Sequence, residues 1–331
     1  MIVVNKAILH VFDTSNMQAV LSDTALILNN ELTSFLEEHI RKCFHKVSSK
    51  PGVFLETSIF NKYLQDYLQN DDFVGFSKAV AGIWFDVIRQ ANGVMPSDLF
   101  VCDVLEEDIR NLVFLRIGNQ HAYIRHTTMS DGIVCNEIQT QSSLPTGTAE
   151  EFATFRVKDE TLLISQKKYD IDGNSIYALS EAVMECVLKS SQQETINAIK
   201  KTAVKIAEDF GADMVQTAAS VKNAIARELE DKETLNPVQL GNCIFSEQPA
   251  LQEAFQQKMQ DSGFSKDESV TVNKETLLKK VMNHRLKTDT GIELTIPAEY
   301  FDNTDFIEFN HAEDGSLSIT LKHISSIVNR G

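Results

Sequence analysis

The sequence predicts an α+β protein: an N-terminal domain of mixed helices and antiparallel strands, a helical middle segment, and a small C-terminal α/β domain that contains a hairpin. Three observations predict it. The first hundred residues alternate strand-like and amphipathic helical runs. From Ser97 the pattern turns to long β-rich segments split by an acidic turn. Residues 191–230 carry two narrow apolar seams at three-four spacing. The expected boundaries are 1–188, 189–266 and 267–331.

Taken in order, VVNKAILHVF and MQAVLSD read as strands around the turn residues Asp13 to Asn16. Asn30 is the expected cap of a helix over Glu31 to Lys46, with Leu32, Phe35, Leu36, Ile40, Cys43 and Phe44 on one stripe. A second helix starts from Ser58 and buries Ile59, Phe60, Tyr63, Leu64, Tyr67 and Leu68. A third starts at Asp71 or Asp72 and turns Phe73, Phe76, Val80, Trp84, Val87 and Ile88 inward. SDLFVCDVLEED and RNLVFLRIGNQHAYIRH then form a meander packed on those helices, continued by FATFRV and TLLISQKKY.

Ser191 and Glu194 make a capping box at the start of the helical segment. Ile196, Ile199, Ala203, Ile206 and Phe210 form the first seam, Gly211 ends it, and Met214, Ala218, Val221, Ile225 and Leu229 form the second. Such seams pack against each other within one chain or join two copies in a homodimer. Pro237 and Pro249 fit the first turns of two further helices. Beyond them Asn273 caps a short helix, GIELTI is a strand, Pro297 opens a helical turn, and FIEFN pairs with LSITLKHI around AEDGS.

Composition excludes several classes. With 43% hydrophobic residues in 331, only six Pro and fourteen Gly, the chain can bury a large core and carries no low-complexity tract. The apolar N-terminus contains Lys6 and His10 and lacks a cleavage site, and no run reaches a membrane span, so a cytoplasmic protein is expected. Cys43, Cys102, Cys135, Cys186 and Cys243 show no Cys-x-x-Cys pair and are expected as reduced thiols. The net charge of −16 is evenly spread, with 13 Lys+Arg against 21 Asp+Glu up to residue 160 and 18 against 26 after it. No basic domain is hidden in the total, so any contact with a polyanion must use a local basic surface.

No stretch carries a catalytic signature. Asp170, Asp172, Asn174 and Glu181 occupy oxygen-ligand positions of an EF-hand loop, but Ser175 stands where glycine is needed and a strand precedes it, so a hairpin turn is expected. Gly75, Ser77 and Ala79 imitate a nucleophile elbow inside a helical pattern, where a helix-surface serine is expected. His121 and His126, five apart on a strand, point to opposite faces. Glu230 to Lys232, the only acid-x-Lys triplet, sits at a helix end. No metal and no cofactor are expected.

Two basic stretches remain. LLKKVMNHRLK, residues 277–287, gathers Lys279, Lys280, His284, Arg285 and Lys287 without an acid. Lys200, Lys201 and Lys205 cluster opposite the isoleucine seam. Both are candidate phosphate contacts, with a solvated helix face as the plain alternative.

AILHVFD, DDFVGFSKAVAGIWFDVI, LFVCDVL, NLVFLRIGNQHAYI, SVTVNKETLLKKVMNH, GIELTIPAEYF and FIEFNHAEDGSLSITLKHI follow one another over nearly the whole chain. Together they resemble the family of bacterial nucleoid-associated proteins of about this chain's mass, 37.1 kDa. The resemblance implies a non-enzymatic protein of the nucleoid whose partner is double-stranded DNA, reached directly or, as an adaptor, through another protein. A hydrolase assembled from distant residues is the third class. The basic positions rest on charge clustering alone and are not carried over from the family.

Overall fold

The computed structural model describes residues 1–326 except 148, 150, 233, 268, 273, 275–282, 298–299, 301–302 and 312–316. The chain forms two compact units, Met1–Ser191 and Gln192–Gly331.

The first unit runs β1 (Ile2–Asp13), β2 (Gln18–Val20), α1 (Asn30–Phe44), β3 (Lys50–Phe54), α2 (Ile59–Asn70), α3 (Phe73–Ile88), β4 (Ser97–Glu106) and β5 (Ile109–Gly118). It continues through β6 (Gln120–Ser130), β7 (Ile133–Ser143), β8 (Glu151–Arg156), β9 (Thr161–Ser165), β10 (Tyr169–Ile171), β11 (Asn174–Ile176), a π-helical turn at Leu179–Val183, and β12 (Cys186–Leu188). Eight strands form one sheet in the order β12-β3-β9-β8-β5-β4-β1-β2, each pair antiparallel.

Helices cover both faces of this sheet, which explains why its central strands are apolar on both faces over most of their length. Strand alternation sends Leu99, Val101, Leu112 and Phe114 into a core with α2 and α3. Phe100, Cys102, Val104, Val113, Leu115 and Ile117 go to the opposite core, against Leu36, Ile40 and Cys43 of α1. On the α2 and α3 side the rings interlock: Tyr67 stacks on Phe76 with centroids 4.8 Å apart, and Phe60 meets Phe114 edge-on at 5.3 Å. β1 contributes to both cores, and a bulge decides which of its residues face each one. Val4 pairs with Val104 and Lys6 with Asp103, so Asn5 is left over. That extra residue reverses the parity, placing Ile2 and Val4 on the same face as Ala7, with Ile8 and Phe12 on the other.

The helix starts follow the expected chemistry with one shift. The cap of α1 is Asn29, whose Oδ1 accepts from the Leu32 N–H at 2.8 Å, one residue before the expected Asn30. Ser58 and Asp72 cap α2 and α3. On α2, Phe60, Leu64 and Tyr67 are buried, but Ile59 and Tyr63 are exposed, because only one stripe of a two-sided apolar helix meets the sheet. Ser77 is buried rather than on the helix surface, and its hydroxyl donates to the Val74 carbonyl at 2.9 Å. The run read as one strand through His126 breaks at Asn119: β5 stays in the sheet, while among the described residues β6 pairs only with β7.

The second unit comprises α4 (Gln192–Asp209), α5 (Met214–Asp231), β13 (Thr234–Leu235), α6 (Gly241–Ile244), α7 (Pro249–Asp261), β14 (Val270–Thr271), β15 (Asn283–Lys287), β16 (Glu293–Pro297), β17 (Ile307–His311) and β18 (Leu317–Leu321). The two predicted seams face each other inside the unit. Ile199, Ala203, Val221, Ile225 and Leu229 are buried together with Phe255 and Met259 of α7, so they are not a dimer surface. Phe210 and Met214, at the turn end of the seams, are exposed. Pro249 opens α7, whereas Pro237 lies in the turn before α6. Gly241 permits the contact between α6 and α7, since a Cβ there would lie 2.5 Å from Phe255.

Pro297 is the last residue of β16, residues 298–299 and 301–302 of the expected helical turn lie outside the described residues while Tyr300 between them is helical, and residues 283–287 of the basic stretch form a strand paired with β16. β17 and β18 form the predicted hairpin, and both hairpins rest on Val215 and Ala219 of α5 through Leu286, Leu294, Ile296, Ile307, Phe309 and Ile319. Residues 312–316 of that hairpin and Asn273 lie outside the described residues. No described helix is long and apolar enough to cross a membrane.

Candidate nucleic-acid interface

Lys200, Lys201 and Lys205 project from α4 away from the buried Ile199, Ala203 and Ile206. The helix carries three lysines against Glu194, Glu208 and Asp209, so its charges balance in number but not in position. Glu208 and Asp209 sit in the last turn, where the helix dipole is already negative. Lys205 neutralises that end, with its Nζ 2.9 Å from both carboxylates, and these hold its ammonium above the ordinary lysine range. A shallow groove of about 590 Å³ runs along this face, lined by Asn197, Lys200, Lys201, Val204, Lys205 and Glu208.

α5 adds a cation that charge clustering along the chain did not reveal. Lys222 is half-buried, and burial, with the nearby Lys200 cation, pulls its ammonium down to about 8. The signal was present in the sequence as symmetry. Lys200 precedes Gly211 by eleven residues and Lys222 follows it by eleven (211 − 200 and 222 − 211), so an antiparallel helix pair folded at Gly211 sets them side by side.

The other predicted segment is only partly placed. Lys279 and Lys280 lie outside the described residues, and of His284 and Arg285 the structure gives the strand pairing alone, opposite Ile296 and Thr295. Lys287 is exposed and bonds to its cross-strand partner Glu293, with Nζ 2.9 Å from Oε1. The strand carrying it and α4 both pack on α5.

The remaining sequence candidates are brought into no common site. Asp170 to Asn174 lie in the β10–β11 hairpin, with Asp172 at φ 51° and Gly173 at φ 77° in the turn. His121 and His126 occupy opposite faces of β6. Lys232 follows the last residue of α5. Among the described residues no three His, Cys, Asp or Glu are grouped to hold a metal ion.

Two charged networks escaped the sequence reading, and both lie within the first unit. Arg116 of β5 and Glu151 of β8 are cross-strand partners, almost wholly buried, with Nε 3.0 Å from Oε2. Ser97 accepts from Arg116 at 2.9 Å, while the Tyr169 hydroxyl bonds to Glu151 at 2.7 Å and also meets the guanidinium. Arg110 holds Asp103 at 2.6 Å, and Tyr67 donates to the same carboxylate at 2.7 Å. The Arg116–Glu151 network is satisfied inside the fold, and the partly exposed Arg110 is engaged by Asp103.

A family model described as nucleoid-associated protein YejK matches residues 8–328. The chain belongs to that family. The match runs through both compact units and assigns the protein a nucleoid-associated role. No curated protein matches the chain.

Proposed function

We propose that the protein is a non-enzymatic cytoplasmic component of the nucleoid that binds duplex DNA through its phosphates. Lys200, Lys201 and Lys222 form the centre of the contact, and Lys279, Lys280, His284, Arg285 and Lys287 supply a second basic segment. The observation that carries this reading is the pairing of Lys200 with half-buried Lys222 across the α4–α5 hairpin. Two ammonium groups brought to one place by the helix pair can donate to the same phosphate group, which separate surface lysines cannot.

The test is binding of a labelled duplex, followed by anisotropy across a salt series. Three phosphate contacts give a log-log salt slope of about −3. The triple variant K200E, K201E and K222E should flatten that slope and weaken all sequences alike, because phosphate contacts carry no base information. Affinity should also fall as pH rises through 8, where Lys222 loses its proton. A folded triple variant with the parent's affinity and slope would refute the assignment.

A second reading has its own support. The net charge of −16, together with the engagement of Lys205 and Lys287 by carboxylates, favours an adaptor that reaches DNA through a partner protein. Under that reading the purified protein leaves naked duplex unbound at low salt.

A further inference from the structure

We propose that the β6–β7 ribbon is a homotypic contact, stacking face to face on the ribbon of a second copy of this chain. The two strands turn through Asp131 and Gly132, both at positive φ, and among the described residues pair only with each other. Every residue from Tyr123 to Ser142 is exposed. A lone two-stranded ribbon is marginal in water, and this one leaves an apolar face exposed among the described residues. Tyr123, Met129, Val134 and Ile138 lie on one face at 79%, 71%, 59% and 72% exposure.

Charge selects the occupant. Residues 120–143 contain one arginine, Arg125, two acids, Asp131 and Glu137, and no lysine. A ribbon so poor in cations cannot hold a phosphate backbone, whereas two near-neutral ribbons can meet despite the −16 on each chain. The order of side chains then selects a second copy. From base to tip the apolar face reads Tyr123 beside Thr140, Arg125 beside Ile138, Thr127 beside Asn136, and Met129 beside Val134. Two such faces related by a two-fold axis run antiparallel, with the axis between the second and third rows. Tyr123 then covers Met129 of the second copy at each end, a favourable sulfur–aromatic contact. In the middle Arg125 covers Thr127, whose hydroxyl is already bonded to Asn136 at 2.8 Å, so the guanidinium meets side-chain oxygens rather than its own symmetry mate. A parallel stack would instead exchange the two strands and set the Arg125 guanidinium on the apolar Ile138 of the second copy.

The ribbon face measures about 37 by 10 Å from eleven residues per strand and two strands, which is small for a specific interface, so association should be reversible and concentration-dependent. Sedimentation velocity of the full chain should show the chain mass rising to twice that value by roughly 100 µM, the range expected of a small interface. The double variant Y123K with I138K, both at exposed positions, should stay monomeric with unchanged circular dichroism. In a C135S, C243S background, T127C should be cross-linked between copies by a short bismaleimide, and T128C, one residue along on the opposite face, should not. A parent that stays monomeric throughout overturns the proposal, as does a double variant that dimerises like the parent. Equal cross-linking at both positions also overturns it. So does a double variant that loses DNA binding while its mass behaviour is unchanged, since the ribbon would then be a nucleic-acid arm.

Discussion

Acid sensitivity of the first unit should trace to His10. This residue is fully buried on β1, where its Nδ1 accepts the Ser22 N–H at 3.1 Å, and its Nε2 finds no hydrogen-bond partner among the described residues. Burial first, and then the Lys78 cation, pulls the imidazole from 6.5 down to about 4. The unfolded chain therefore binds more protons than the folded one between these values, and stability falls as pH drops through that window. The full loss, complete below about pH 4, is about 3 kcal/mol, of which about 2 kcal/mol appears between pH 7.5 and pH 5. The perturbation is His10→Asn, whose Oδ1 can accept the Ser22 N–H in place of Nδ1 but does not titrate. Urea denaturation followed by the fluorescence of Trp84, the single tryptophan and a core residue of the same unit, reads the effect. The parent should lose about 2 kcal/mol more than the variant on going from pH 7.5 to pH 5. An equal loss in both would show that His10 does not carry the acid response.

Replacing Arg116 with Met should cost about 3 to 5 kcal/mol, because it strands the buried Glu151 carboxylate, and adding Glu151→Met should recover much of that in the same urea assay. Ile199→Asp or Ile225→Asp should each destabilise the second unit by about 3 to 5 kcal/mol through an unpaired charge in its core, read as lost helical circular dichroism on melting. Of the five cysteines, Cys135 and Cys243 should titrate rapidly with a thiol reagent in the native protein, while Cys43 and Cys186, pushed up to about 12 by burial, and buried Cys102 react only on unfolding. Reductant should leave the melting temperature unchanged, since all five are free thiols.

Elements whose burial and spacing agree were legible in the sequence. α3 shows this well, with Asp72 as cap and Phe73, Phe76, Val80 and Trp84 on the inner face. Strands β4 and β5 were equally plain, because a sheet covered on both faces leaves few polar positions in them, Asp103 and Arg116 being paired exceptions. The β6–β7 ribbon was hidden for the opposite reason: among the described residues neither face of it is buried, so Thr, Gln and Ser alternate with apolar residues without a core to impose a pattern. Basic clustering located Lys200, Lys201 and Lys205, which are close along the chain, but Lys222 joins them only through the fold of the helix pair. Within 277–287 the lack of acids was visible, and the strand at 283–287 was not, since its apolar partners on α5 are remote in sequence.

The bulge at Asn5 works on β1 much as a frameshift works on a reading frame. A strand carries its message in alternate letters, and one supernumerary residue exchanges the two sets from that point onward. Deleting Asn5 would set Val4 directly before Lys6, so Ile2 and Val4 would go on facing the α1 core along a regular strand, and what would be lost is the local bend and added twist of the bulge. Tolerance at this position should therefore extend from side-chain identity to loss of the residue itself, since the bulge is the way the strand absorbs one residue more than its pairing needs.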